Sequence, residues 1–139
     1  MTVPDNLRQA VIQRADNHCE CCLLSQFAQE ATFHIDHVVP QSAGGPTTLD
    51  NLALACVTCS LRKGARQTVV DVETGTEVPI FNPRRETWNT HFRWAGVRVV
   101  GLTATGRATI EALQMNRPHV LAIRGEERQR GRPPLPRYL

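Results

Sequence analysis

Two patterns in this 139-residue chain could do chemistry. The first is a pair of cysteine couplets, Cys19-x-x-Cys22 and Cys56-x-x-Cys59. Two thiolates separated by two residues can grip one ion from a single tight turn, and two such couplets close a tetrahedral zinc site. The second is FHIDHVVP at 33–40, where His34, Asp36 and His37 sit among Phe33, Ile35, Val38 and Val39. Apolar residues in this pattern read as a half-buried strand. Titratable groups there are costly unless exposed, paired or bound to metal. Such a trio could hold a cation or move a proton.

The fifth cysteine, Cys21, lies inside the first couplet. It reads as a bystander, with a set in which it replaces Cys22 left open. An odd count and tight clustering argue against a disulfide framework. Two other zinc patterns fit less well. Cys19, Cys22, His34 and His37 spell C-x2-C-x11-H-x2-H. A C2H2 finger wants about twelve residues in the middle and three to five between the histidines. It would also strand Cys56 and Cys59. A zinc deaminase needs H-x-E followed by P-C-x-x-C. Here the acid is Asp36, and Ala55 precedes Cys56.

The elements that position these residues follow from periodicity and breakers. Leu7, Ala10, Val11 and Ala15 recur at helical spacing behind a capping box of Thr2 and Asp5 around Pro4, predicting a helix that ends near Asn17. Residues 23–32 read as a linker before the FHIDHVVP strand, which Pro40 stops. SAGGP at 42–46 is a loop. LALAC, introduced by Asn51, pairs with the first strand through that long connection, and a short helix over 57–64 ends at Gly64. Val70 and Val72 are expected to face Val78 and Ile80 across a turn at Thr74-Gly75. ETWNTHF makes a helical turn or two; further helices are expected over 108–115 and 118–128. The tail from 129 to 139 is Pro- and Arg-rich, which predicts disorder.

Composition bounds the rest. The chain carries a net charge of +3, with Lys63 its only lysine and fifteen arginines. Arginine suits phosphate contact and base stacking, so a nucleic-acid partner is permitted but not demonstrated. No run approaches the ~18 apolar residues of a membrane span. The stretch MTVPDNLRQA has no secretory pattern, so a cytoplasmic location is the expectation.

Asp36-His37 in a strand, Asn51 ahead of LALAC, and CVTCSLRKGAR leading into a helix together resemble the HNH nuclease family over residues 7–66. The stretch from ETGTEVPIFNPRRETWNTHFRW to GLTATGRATIEALQMNRP resembles the C-terminal extension of a bacterial HNH subfamily. The resemblance implies an α+β fold: a zinc-stapled ββα-metal core over 1–66 with an N-terminal helix, and an extension of hairpin and helices over 67–128 packed on it. It implies a metal-dependent endonuclease that cuts or nicks DNA to leave 5′-phosphate and 3′-hydroxyl ends, with RNA left open as a substrate.

Under that reading His37 is the general base and Asn51 orients its imidazole or braces the loop. Asp36 and the residue after Cys59 hold a catalytic Mg²⁺ or Mn²⁺, while Cys19, Cys22, Cys56 and Cys59 hold structural Zn²⁺. Arg62, Lys63 and Arg66 suit phosphate contact. At the helix position the chain departs from the family: Ser60 stands where Asn or His is usual, and a hydroxyl is a poorer metal donor. The competing expectation is therefore a zinc-containing nucleic-acid binding module with weakened or lost cleavage. His34 reads as a half-exposed histidine rather than an extra ligand. Arg84, Arg85 and Arg93 are weaker phosphate candidates. His91 reads as structural, and His18 and His119 carry no role.

Overall fold

A computed structural model describes residues 3–132. Helix α1 (Asp5–Arg14) leads into the first cysteine turn. Strand β1 (His34–His37) pairs antiparallel with β2 (Leu52–Ala55), with His37 opposite Leu52 and His34 opposite Ala55. Helix α2 (Val57–Lys63) follows at once, completing a ββα unit. Two more hairpins follow: β3 (Thr68–Asp71) with β4 (Thr76–Pro79), and β5 (Phe92–Ala95) with β6 (Arg98–Gly101). A single helical turn, α3 (Trp88–His91), separates them, and α4 (Ala104–Leu113) and α5 (Pro118–Gln129) close the described chain. The mixed α and β architecture with small two-stranded sheets is the class expected from the sequence. Among the described residues, no helix is long and apolar enough to cross a membrane.

Arg14 shows how the N-terminal helix is fixed to the strands. Its guanidinium donates to the carbonyls of Leu49 (2.8 Å) and Leu52 (2.5 Å), at the entrance to β2. Val11 on the same helix is fully buried. The helix starts at Asp5 with no side-chain cap; Thr2 of the expected capping box lies outside the described residues. So does most of the Pro/Arg-rich tail, from residue 133 on.

The extension is built on aromatic packing. Phe92 contacts Trp88 and Phe81 with ring centroids 5.1 Å apart in each case, and Trp94 stacks near Trp88 at 5.4 Å. Helix α4 begins four residues earlier than periodicity suggests because the Thr103 hydroxyl caps it, accepting from Gly106 N–H at 3.0 Å. Gly106 is required for a second reason: a Cβ there would lie 2.1 Å from the His91 carbonyl oxygen. His91 is itself buried between the Thr103 hydroxyl (2.6 Å) and the Glu86 carboxylate (2.7 Å), a structural placement.

Two expectations need correction. The hairpin over FRWA and RVVG forms without a strong turn signal in the sequence. The β3–β4 register also differs: Val69, rather than Val70 or Val72, faces Val78, and Asp71 faces Thr76. A one-residue shift turns every side chain to the other face. Val70 and Val72 are therefore exposed, while Val69 and the Asp71 carboxylate point inward. A hydrophobic pattern cannot foresee this, since the inward residue is an acid held by a distant arginine. Arg107 on α4 donates to Asp71 Oδ2 at 3.0 Å, and the Thr74 hydroxyl donates to the same oxygen at 2.9 Å.

Those donors, Arg107 first, hold the Asp71 carboxyl below its ordinary range. Its contribution to stability is complete above the unfolded pKa of about 3.9 and is lost as the pH falls through the lower folded value. We therefore expect Asp71→Asn to lower the urea midpoint at neutral pH. The gap from the parent should close as both are titrated below about pH 4. A gap that stays constant through that window would refute the assignment.

Candidate functional site

The four cysteines of the two couplets meet. Their sulfurs all lie within 4.8 Å of one another, all four residues are buried, and none is in a disulfide. Tetrahedral Zn–S bonds of about 2.3 Å put sulfurs about 3.8 Å apart, and the Cys22–Cys56 separation is 3.8 Å. The donor set thus fits zinc. Cys21, also buried, is outside the group. Burial pushes the Cys19 and Cys21 thiols up. Cys56 is driven the other way by sulfur hydrogen bonds from Cys19, Cys22 and Cys59. Cys56 also caps α2, accepting from Cys59 N–H at 3.4 Å.

The first cysteine turn is held from outside the ββα unit. Trp88 Nε1 donates to the Cys21 carbonyl and Arg124 Nη2 to the Cys22 carbonyl, each at 2.9 Å. Arg124 is buried, and its proximity to Cys22 and Cys59 offsets part of its desolvation. Such partners fix ligand orientation and are a large part of metal-site affinity. No pattern in the sequence marked Arg124.

Strand β1 meets helix α2 through two side-chain rungs. His34 Nδ1 lies 2.9 Å from Ser60 Oγ, and Lys63 Nζ donates to Asp36 Oδ2 at 3.1 Å. The logic is periodicity: residues 34 and 36 share one strand face, and 60 and 63 share one helix face. Lys63 is buried and also donates to the His37 carbonyl at 3.1 Å, so it is internal rather than a surface cation. Burial pushes the Asp36 carboxyl up, and the Lys63 ammonium opposes that rise without cancelling it. Desolvation outweighs the ion pair here.

His37 points the other way, with Nε2 2.9 Å from the Thr47 hydroxyl. Asn51 does not meet its ring; it ties the loop to the strand end. Its Nδ2 donates to the carbonyls of Val39 (3.0 Å) and Pro46 (2.9 Å), and its Oδ1 accepts from Val39 N–H (2.9 Å). Gly45 lies against this clamp, where a Cβ would be 1.8 Å from Val39 O. Arg62 and Arg66 are exposed on and after α2, with Arg66 Nη2 donating to the Arg62 carbonyl (2.5 Å).

An open cleft of about 530 Å³ runs beside β1. His34, His37 and Ser60 line it together with Arg8 of α1, whereas Asp36 does not. Among the described residues, the cysteine cluster is the one group of three or more His, Cys, Asp or Glu side chains placed to share an ion. Of the donors expected for a catalytic ion, Asp36 is paired with Lys63 and Ser60 with His34.

No curated protein and no solved structure matches the chain. Residues 19–66 do match a family model, described as HNH endonuclease. That segment spans both cysteine couplets, β1, the loop, β2 and α2. Over residues 19–66 the chain is therefore similar to the HNH endonuclease family.

Proposed function

We propose that this protein is an HNH-type endonuclease that hydrolyses phosphodiester bonds in DNA. The observation that carries the reading is the presentation of His37 in an open cleft within the segment matched to that family. With Nε2 engaged by Thr47, the ring has Nδ1 left to take a proton from an attacking water. Histidine suits this task because its ordinary pKa lies near neutral pH. The four-cysteine cluster holds zinc in a structural role, bringing the His37 strand and α2 together. Residues 1–66 carry the site, and 67–128 brace it through Trp88 and Arg124. Exposed Arg62 and Arg66 contact the phosphate backbone.

Mg²⁺ or Mn²⁺ is the ion expected of this family, and Asp36 with Ser60 would hold it. Asp36 would first have to leave Lys63. That ion pair, with Ser60 at the helix position, favours a second reading: a zinc-built nucleic-acid binding module without cleavage. Incubation of supercoiled plasmid with the protein in Mg²⁺ and in Mn²⁺ separates the two. The enzyme should nick, and His37→Ala should slow nicking by about 10²–10⁴-fold. Binding without nicking in either metal would leave the module. An RNA substrate run alongside tests whether the activity is confined to DNA.

A further inference from the structure

The cleft beside β1 has an unusual balance of charge. It is lined by Arg8, two imidazoles, and the polar side chains of Thr32, Gln41 and Ser60, and no carboxylate among the described residues lines it. The nearest acid on β1, Asp36, is neutralised by Lys63. Other inward arginines have work within the protein: Arg14 binds two carbonyls, Arg84 binds Glu20, Arg107 binds Asp71, and Arg124 binds the Cys22 carbonyl. Arg8 makes no ion pair or side-chain hydrogen bond among the described residues. A half-buried guanidinium facing this cleft, with no acceptor among the described residues, is poised for an anion from outside.

We infer that Arg8 binds a backbone phosphate of duplex DNA in this cleft, so that α1 supplies a substrate-binding residue. The helix lies outside the segment 19–66 that carries the family match. The inference rests on the proposed function for its choice of ligand. A planar guanidinium offers paired N–H donors to two phosphate oxygens, which suits it to hold a phosphodiester in register beside His37. The cleft geometry, rather than surface charge, makes the distinction from Arg62 and Arg66. Those two lie on and after α2 and do not line it.

Fluorescence anisotropy of the full chain on a labelled DNA duplex, with no divalent ion added, reads binding without turnover. Arg8→Gln is expected to weaken binding about tenfold across sequences and to reduce the log–log salt slope by about 1. Arg8→Lys should recover part of the affinity, and its thermal unfolding should match the parent. Arg62→Gln should cost less than Arg8→Gln. Unchanged affinity and slope in Arg8→Gln, or no duplex binding by the parent, would overturn the assignment. The two readings fail separately. If the parent never nicks plasmid yet Arg8→Gln loses affinity, the nuclease reading falls and the phosphate site stands. If the parent nicks and Arg8→Gln binds normally, the nuclease stands and the site falls.

Discussion

Stripping the metal with a strong chelator, or replacing Cys59 with serine, should unfold the ββα unit rather than merely slow the protein. The reason is one of scale. Apparent zinc binding in small thiolate sites is worth about 10–16 kcal/mol at neutral pH. A whole domain has a net stability of about 5–15 kcal/mol. Without an ion, four buried sulfurs lie within 4.8 Å of one another, and burial favours the neutral form of Cys19. Cys59 sits on α2 and Cys22 in the first turn, so the site ties the helix that carries Ser60 and Lys63 to the turn before β1.

Trp88, which donates to the Cys21 carbonyl, is a built-in reporter. Its fluorescence should shift to the red as metal leaves, with far-UV circular dichroism falling in the same step. Metal analysis should return one zinc for each chain. Protein that lacks zinc yet keeps the Trp88 signal and a cooperative unfolding transition would refute the structural role. So would mass evidence that these sulfurs are bridged.

The second large effect is expected at Asn51, which is buried and satisfies three backbone groups at once. In Asn51→Asp the shape is kept, but Nδ2, which faces the Val39 and Pro46 carbonyls, becomes an acceptor oxygen. Each buried polar group left unpaired costs about 1–3 kcal/mol, so a loss of about 3 kcal/mol or more is expected from the urea midpoint. Asn51→Ala should lose a similar amount. Gly45→Ala should damage the same junction, since its Cβ would strike Val39 O.

The comparison also separates two roles for Asn51. A residue that only oriented the His37 ring would leave stability near the parent value and slow nicking alone. A clamp lowers both, and nicking should return in proportion to the folded fraction when the variant is assayed at low temperature. Stability equal to the parent in Asn51→Asp would count against the clamp.

Much of the core was legible because its signals are local. C-x-x-C couplets announce a thiolate site by spacing, and an apolar run stopped by proline announces a strand. Gly64 ends α2, as a residue with positive φ (53°) should. The ββα order follows from these pieces. The extension was less legible. Strands of four residues, such as FRWA and RVVG, are too short for a period to register, and the β3–β4 register turned on a buried acid that pattern assigns to solvent.

Partner choice was not legible at all. The sequence by itself determined which residue types would be brought near one another: four sulfurs, two histidines, an acid and a helix end. Only the tertiary structure decided that Asp36 binds Lys63, that Ser60 meets His34, that Arg8 faces the cleft, and that Arg124 reaches a carbonyl 102 residues away. Periodicity reports which face of an element is turned inward. It carries nothing about which polar group from a distant element will arrive there, because that depends on packing angles set by the whole core.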